Sequence, residues 1–366
     1  MESQCDVCKN KIPDNAYHCM AFQNDEQIPD EVIKCQKECS GFEHVNMLKI
    51  MSQNKNEDRL FGGIFGLCVG DALGVPLEFY PRAERKRDPV REMRAYGRYN
   101  KPFGTWSDDS SLTFCLMDSL KDGYDPQDIA NKFCQYFFDE LWTPNGSVFD
   151  IGTTTLQAIG RIKAGNDPLK CGGRSKNDNG NGSLMRILPL AFYLRDEQPA
   201  RKNKIIAEVS SITHQHKRSK LACIIYVELA VNLLRGAGKE ESMENTREYI
   251  KKYCGKEYKR ELPYFKRILE DDISKLSEDE ISSSGYVVDT LEASLWSFLT
   301  TGSYSESIFK AINLGGDTDT AAAIAGGLSG IFYGIRAIPD NWIQCIARKK
   351  DIYGLTLRFT KCTPII

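Results

Sequence analysis

Two segments of the chain carry a glycine or alanine at every fourth position, which restricts how the chain can fold. The rows consist of Gly62, Gly66, Gly70 and Gly74, and of Ala322, Gly326, Gly330 and Gly334. Positions four apart lie on one face of an α-helix. Each glycine inside a helix costs on the order of 1 kcal/mol relative to alanine, so two such rows require close approach of another helix. We predict two tightly packed central helices in a bundle; packing against each other is one arrangement that satisfies both rows.

Outside the N-terminal segment the hydrophobic pattern is helical. From Asp58 onward, apolar residues recur at helical spacing with almost no strand-like alternation. Residues 239–284 are highly charged, which indicates an exposed helical excursion. The predicted fold class is all-α, with a small Cys-rich N-terminal segment at residues 1–52 and a main helical domain at residues 57–366.

Charge and cysteine content restrict the class of protein and its compartment. The chain of 366 residues has 48 basic and 50 acidic side chains, so we expect no general nucleic-acid binding through a basic face. Thirteen cysteines, an odd number, fit a secreted disulfide framework poorly, and no leader pattern is visible. By this reading, no stretch approaches the apolar length of a membrane span. We therefore expect a cytoplasmic monomer without membrane contact.

An acidic motif opens a predicted helix near residue 107. Residues 104–111 read GTWSDDSS, and apolar residues at helical spacing follow. Ser107 is a favourable N-cap, and the helix dipole stabilises carboxylates in the first turn. Taken alone, the motif is explained equally well by capping and by a ligand site.

A second acidic motif precedes the other glycine-striped helix. Asp317 and Asp319 follow two glycines, which permit the turn that acids two positions apart need in order to converge. Capping requires one oxygen acceptor, whereas four carboxylates brought together repel one another unless a cation intervenes. Oxygen ligands from Asp, Ser and Thr select hard ions, so the two motifs together predict Mg²⁺, Mn²⁺ or Ca²⁺ rather than zinc.

Three further features border these motifs. Asp71 lies inside the first glycine-striped helix, and we expect it to be buried and paired, whereas Glu78 by position alone is an ordinary surface residue. Residues 179–186 alternate small side chains before a helix, which suits phosphate binding, although most such loops are only turns. His214 precedes the helix predicted at residues 219–234; ligand contact and a capping or core role are equally compatible with it.

Together these motifs resemble the ADP-ribosylglycohydrolase family, which includes dinitrogenase-reductase-activating glycohydrolase and the animal ADP-ribosylhydrolases. The similarity runs from about Leu60 to Trp342. It rests on five segments, namely 70–74 (GDALG), 106–110 (WSDDS), 180–186 (GNGSLMR), 285–290 (GYVVDT) and 316–320 (GDTDT). The resemblance implies a compact orthogonal all-α bundle with a two-metal site, usually Mg²⁺ and sometimes Mn²⁺.

The resemblance also implies roles for individual residues. The metal ligands would be Ser107, Asp108, Asp109, Asp317, Asp319 and Thr320. Glu78 would be the mobile acid beside the metals, and Asp150 and Gly152 would belong to the element that contacts the substrate ribose. The residues along the ADP moiety would be Asn181, Gly182, Ser183, Met185 and His214. The commoner Thr-Asp-Asp-Thr of the family is Ser-Asp-Asp-Ser here, which keeps both hydroxyls.

The expected function is a divalent-metal-dependent hydrolase that removes ADP-ribose from a modified protein or other target by cleaving an N- or O-glycosidic bond. Asp109 or Glu78 would act as general base, with Asp150 as a third catalytic group. Two other interpretations stay open. One is an ADP-ribose-binding or toxin-neutralising immunity protein that acts by binding; the other is a Mg-dependent hydrolase of another ribosyl metabolite. Four clustered acids favour the enzyme, because a protein that only binds ADP-ribose does not need them.

The N-terminal segment carries a separate metal hypothesis. Cys5 and Cys8, and Cys35 and Cys39, resemble two half-sites of a small zinc module. The second pair has three intervening residues and no glycine knuckle, so reduced cysteines packed on the main domain are the alternative. We expect a structural Zn²⁺ ion and a recognition or docking role for this segment.

Overall fold

The computed structural model describes residues 55–363. Fifteen α-helices make up this part of the chain, and its only extended pairings are two isolated bridges, Gly173 with His214 and Gly180 with Tyr286. The prediction of an all-α fold is confirmed. The proposed zinc ligands Cys5, Cys8, Cys35 and Cys39 lie outside the described residues, so the zinc module stays a prediction.

The helices follow one another with short connections. Their bounds are α1 (Lys55–Gly74), α2 (Arg82–Arg87), α3 (Asp108–Leu120), α4 (Pro126–Asp139), α5 (Thr153–Lys163), α6 (Pro189–Tyr193), α7 (Pro199–Ser211), α8 (Lys217–Leu234), α9 (Lys239–Tyr253), α10 (Lys266–Leu269), α11 (Val287–Leu299), α12 (Tyr304–Asn313), α13 (Thr318–Tyr333), α14 (Asp340–Cys345) and α15 (Lys349–Thr360). The charged stretch at 239–284 forms α9, α10 and three short 3₁₀ helices.

The two glycine-striped helices, α1 and α13, pack directly against each other. An ideal Cβ atom on Gly62 would lie 2.1 Å from the Gly330 carbonyl oxygen, and one on Gly66 would lie 2.4 Å from the Gly326 carbonyl oxygen. No side chain fits at such distances. The close approach predicted from the small residues is therefore present, and each helix is the neighbour that the other requires.

The same central helix corrects one expectation. The stretch Lys55–Leu77 is long and apolar enough to cross a membrane by length and composition, so the statement that no stretch approaches a membrane span was wrong. Its apolar window is 100% buried inside the structure. The hydrophobicity of this helix serves contacts with neighbouring helices, as expected for the core helix of a globular fold.

Three helix ends meet at one end of the α1–α13 pair. An ideal Cβ on Gly74, the last residue of α1, would lie 2.4 Å from the Cα atom of Asp319 in the first turn of α13. Asp71, one turn earlier in α1, accepts hydrogen bonds from the first turn of α3. This arrangement places the two acidic motifs side by side.

Candidate active site

The N-termini of α3 and α13 form a buried group of carboxylates. The Thr320 hydroxyl donates to the Asp109 carboxylate at 3.3 Å, although the two residues are 211 positions apart. Carboxylate oxygens of Asp71, Asp109 and Asp319 lie within 4.8 Å of one another. The structure thus brings together the two motifs that the sequence analysis paired.

A second group of acids adjoins the first. Glu78, Asp150 and Asp319 also have carboxylate oxygens within 4.8 Å of one another. Glu78 is only 5% exposed, so the surface position expected from its place in the sequence is wrong. The Tyr99 hydroxyl donates to Glu78 Oε2 at 2.5 Å, and its ring lies 5.1 Å from that of Phe149. Tyr99 therefore joins the loop before α3 to the acid that follows α1.

Asp71 organises the first turn of α3. It is fully buried, and its Oδ1 atom accepts from the backbone N–H of Ser107 at 2.9 Å. Its Oδ2 atom accepts from the N–H and the hydroxyl of Ser110 at 3.0 and 2.5 Å. Ser107, the N-cap, in turn accepts from the Asp109 N–H at 3.2 Å. Asp71 is buried and paired as expected, and it holds the backbone that carries the next acids.

Burial and crowding raise the pKa of most acids in this group. Burial is the main cause at Asp108, Asp109 and Asp319, and repulsion from other carboxylates of the group adds to the increase in pKa at each. Burial, reinforced by Asp150, raises the pKa of Glu78 to about 9. The protein alone therefore opposes several negative charges in this space, and a bound cation would relieve the repulsion.

Two buried oxygen atoms also need a partner. Asp109 Oδ2 and Asp317 Oδ1 receive no hydrogen bond from any residue in the described part of the chain. An unsatisfied buried carboxylate oxygen is costly. The atoms around them that could act as metal ligands are carboxylate and hydroxyl oxygens, the ligand type that Mg²⁺, Mn²⁺ and Ca²⁺ prefer. The residues present therefore fit a hard divalent cation.

The glycine-rich loop is attached to the acidic group through one side chain. Asn181 donates from Nδ2 to Asp317 Oδ2 at 2.8 Å and to Thr290 Oγ1 at 3.0 Å. Gly182, the next residue, lies against the buried His214 ring, because an ideal Cβ there would be 2.9 Å from Cε1. The loop therefore contacts both the acids and the histidine.

Other residues of the expected substrate site face different directions. The Ser183 hydroxyl is fully buried and accepts from Ser210 at 3.0 Å, and Met185 belongs to the hydrophobic core. Their side chains therefore do not line the surface of the loop. Gly152 is exposed at the N-cap of α5, and its N–H bonds to Asp108.

Three polar residues near the site, Tyr99, Thr290 and Arg186, were not predicted from the sequence. Tyr99 stands in a loop without a motif, so no sequence signal indicated its contact with Glu78. Thr290 and Arg186 fall inside quoted motifs but received no role. Arg186 is fully buried and donates to the Gly182 carbonyl and the Thr213 hydroxyl. A buried arginine beside a glycine loop is the signal that could have found it.

Fold and site together define a class: an all-α protein with a buried cluster of carboxylates where helix ends meet. The chain belongs to the ADP-ribosylglycohydrolase family, because the family of that description matches residues 52–364. It is therefore an ADP-ribosyl hydrolase, an enzyme type that reverses ADP-ribosylation.

Individual relatives cover most of the chain. ADP-ribosylarginine hydrolase Tri1 of Pseudomonas putida (strain GB-1) is 32% identical over 301 residues, which are 81% of this chain and 76% of that protein. ADP-ribosyl-[dinitrogen reductase] glycohydrolase of Rhodospirillum rubrum is 29% identical over 298 residues, which are 80% of this chain and 92% of that protein. A solved structure titled "ADP-ribosylglycohydrolase-related protein complex" matches with a TM-score of 0.69 and 28% identity, and covers 84% of this chain and 99% of that one.

Proposed function

We propose that this protein is a divalent-metal-dependent hydrolase that releases ADP-ribose from modified arginine side chains of a protein. The observation that carries the metal dependence is that Asp109 and Asp317, whose charges lie close enough to repel each other, each have a buried oxygen with no partner among residues 55–363. Mg²⁺ is the proposed ion and Mn²⁺ the substitute, with Ser107, Asp108, Asp319 and Thr320 completing the oxygen donors.

In this proposal, different residues of the site bind the ribose, accept the proton of the attacking water and stabilise the transition state. Asp150, half-buried beside Glu78, holds the ribose, while Asp109 or Glu78 takes the proton of the attacking water as general base. The carboxylate-rich wall stabilises positive charge that grows on the ribose in an oxocarbenium-like transition state. Bound divalent cations would supply a Lewis acid that lowers the pKa of water and orients the ribose hydroxyls.

The loop at 180–186 positions the other end of the substrate. The backbone N–H groups of Asn181, Leu184 and Met185 donate to carbonyl oxygens within the described residues. Those of Gly182 and Ser183 therefore lie along the diphosphate of ADP-ribose in this proposal, with His214 behind them. Asn181 links this loop to Asp317, so that the diphosphate and the ribose are held by parts of one hydrogen-bonded unit. Such fixed placement of the reacting groups lowers the entropic part of the barrier.

The arginine linkage is supported by two relatives and by charge. Proteins named ADP-ribosylarginine hydrolase, at 32% and 28% identity, match 81% and 84% of this chain. A guanidinium leaving group is cationic when protonated, and an acidic site suits it better than it suits a neutral hydroxyl.

The decisive assay compares substrates with and without metal. Purified protein is incubated with ADP-ribosyl-arginine and ADP-ribosyl-serine peptides, in EDTA and after addition of Mg²⁺ or Mn²⁺, and released ADP-ribose is measured. We expect release from arginine only, loss in EDTA and recovery with either ion. Undiminished turnover in EDTA would refute the metal dependence, and release from serine alone would refute the linkage.

Matched variants separate catalysis from binding. Asp109→Asn and Asp317→Asn should lose at least about 100-fold in kcat, since each removes a charge aimed at the reacting centre. Asp122→Asn, at an exposed aspartate just after α3, serves as the control. A protein that acts only by binding would show no turnover in any form but would still bind ADP-ribose.

We further propose a monomeric protein in the reducing cytoplasm, with a zinc ion held by the N-terminal cysteines. Buried thiols such as Cys68 and Cys223 are free, whereas Cys345 is disulfide-bonded, so the cytoplasmic proposal rests on the sequence pattern alone. Light scattering and metal analysis of the full chain test these statements: a dimer, or protein without zinc, contradicts the corresponding one.

A further inference from the structure

A chain of buried hydrogen bonds runs from Arg186 to His214. One guanidinium nitrogen of Arg186, Nη2, donates to the Thr213 hydroxyl at 2.6 Å, and the other, Nη1, donates to the Gly182 carbonyl. The Thr213 hydroxyl in turn lies 2.8 Å from Nδ1 of His214. Arg186, Thr213 and His214 are at most 2% exposed, so water does not replace these contacts. The guanidinium also lies over the Phe133 ring, 4.6 Å from its centroid.

The number of protons available along this series of hydrogen bonds determines which nitrogen of the His214 imidazole is protonated. Arginine has donors and no acceptor, so the Thr213 oxygen must accept from Arg186. The hydroxyl has a single proton, and within residues 55–363 its other hydrogen-bonding neighbour is His214 Nδ1. If Nδ1 carried a proton, two donors would face the hydroxyl, and its own proton would be buried without an acceptor, which is unfavourable. All of these hydrogen-bonding groups are satisfied only when the Thr213 hydroxyl donates to an unprotonated Nδ1 of His214.

The other ring nitrogen then carries the proton and faces the glycine loop. An ideal Cβ on Gly180 would lie 3.6 Å from His214 Nε2, and one on Gly182 would lie 3.4 Å from it. The absence of side chains at these two positions leaves Nε2 beside the loop backbone. A neutral imidazole has one donor and one acceptor, so the tautomer decides what the loop surface offers to a ligand.

We propose that Arg186, acting through Thr213, fixes His214 in the Nε2–H tautomer, so that the imidazole presents a permanent hydrogen-bond donor to a diphosphate oxygen of the substrate. The ligand part rests on the function proposed above, whereas the tautomer does not. Arg186 and Thr213 are positioning residues in this scheme, since they act through His214. The same guanidinium holds the Gly182 carbonyl, so it places the loop and orients the histidine together.

The charge state of the histidine agrees with this assignment. Burial, with a further contribution from Arg186, lowers the pKa of His214 to about 3, and the opposing effect of Asp178 is smaller. The ring is therefore neutral throughout the physiological range. A neutral donor that does not titrate gives the same hydrogen bond at every working pH.

The direct test is a two-bond ¹H–¹⁵N correlation spectrum of the full chain labelled with ¹⁵N-histidine. The chain has four histidines, and the variant His214→Gln identifies the signals of this one. We expect a pyridine-like Nδ1 and a pyrrole-like Nε2 that do not change between about pH 5 and pH 8. A pyrrole-like Nδ1 in the unmodified protein, or titration in that range, overturns the proposal.

Variants at Thr213 test the positioning role. Thr213→Val removes the hydroxyl at nearly constant volume and should produce a mixed or reversed tautomer, whereas Thr213→Ser keeps the hydroxyl and should retain it. Thr356→Val is the matched control, because this threonine is equally buried and, among the residues that the structure describes, its hydroxyl bonds only to the Ile352 carbonyl of its own helix. An unchanged tautomer in folded Thr213→Val overturns the role of Thr213. Should that variant not fold, the spectrum of the unmodified protein decides.

Affinity for ADP-ribose tests the ligand part separately. By calorimetry, Thr213→Val should raise the Kd for ADP-ribose about fivefold to tenfold, the effect of losing one hydrogen bond, while Thr213→Ser and Thr356→Val stay within about twofold. The assigned tautomer with unchanged affinity in Thr213→Val contradicts the contact with the diphosphate. If the unmodified protein shows the tautomer but binds no ADP-ribose, the proposed function fails and the tautomer assignment stands.

Discussion

Asp71 shapes the site by fixing the backbone that carries the neighbouring acids. It accepts three hydrogen bonds from Ser107 and Ser110, and these fix the first turn of α3. That turn therefore determines the positions of Asp108 and Asp109. Asp109 and Asp317 then each have one buried oxygen that receives no hydrogen bond from residues 55–363. At the scale of single residues, holding these negative charges close together lowers the stability of the folded protein, which is typical of sites that bind cations.

Replacing Asp71 by asparagine should disturb the fold and the site together. An amide side chain has one acceptor oxygen, so one of the N–H groups of Ser107 or Ser110 would face an NH₂ group. We expect a loss of about 2 kcal/mol in the free energy of unfolding, in the range for an unsatisfied buried donor, and a lower kcat. Urea unfolding and the release assay measure both. Unchanged stability and activity would show that Asp71 does not hold the turn.

The raised pKa values predict how stability depends on pH without metal. Burial raises the pKa of Glu78 from 4.5 to about 9 and that of Asp150 from 3.8 to about 6. Between the ordinary and the raised value, the folded protein keeps a proton that the unfolded chain has lost, so stability falls as pH rises. In EDTA, Tm should therefore decline from about pH 5 to pH 8, and Glu78→Gln should flatten the decline.

The control for this experiment is Glu84→Gln, at an exposed glutamate in α2. It should leave the slope of Tm against pH unchanged. If Glu78→Gln and the unmodified protein show the same slope, Glu78 is not a strained acid in the metal-free state.

At the scale of secondary structure, the antiparallel contact of α1 and α13 is what aligns the two acidic motifs. The absence of side chains at Gly62, Gly66 and Gly330 lets the helix backbones touch. The end of α1 then reaches the first turn of α13, and Asp71 reaches that of α3. The unfavourable glycines in these helices are thus compensated by packing that no larger residue would allow.

One alanine should be enough to break this contact. Gly66→Ala would place Cβ 2.4 Å from the Gly326 carbonyl oxygen, and a backbone atom in a packed helix cannot move aside. We expect a loss of about 3 kcal/mol in the free energy of unfolding, at the upper end for overpacked cores. Gly160→Ala is the matched control, because no atom of residues 55–363 lies within 4 Å of a Cβ there and the change should stabilise α5 by about 0.5–1 kcal/mol. Equal effects of the two changes would contradict the packing account.

At the scale of the whole molecule, the repeated patterns were predictable and the loop contacts were not. Periodicity predicted the all-α fold, and the glycine rows predicted the central pair, because both follow from helix geometry. The doubled aspartate motifs predicted which distant segments meet. The contact of Tyr99 with Glu78 was not predictable, since the loop at 88–107 is placed by tertiary packing rather than by local pattern. The apolar length of α1 was misjudged because a core helix and a membrane span share composition.

The most direct test of the central claim is anomalous diffraction from crystals soaked in Mn²⁺. We predict anomalous density between the two acidic motifs, with carboxylate oxygens of Asp109 and Asp317 within about 2.0–2.6 Å of a manganese ion. Crystals of Asp109→Asn should lose or weaken this density. Manganese bound elsewhere, or no manganese in crystals of a protein that still releases ADP-ribose, would contradict the account.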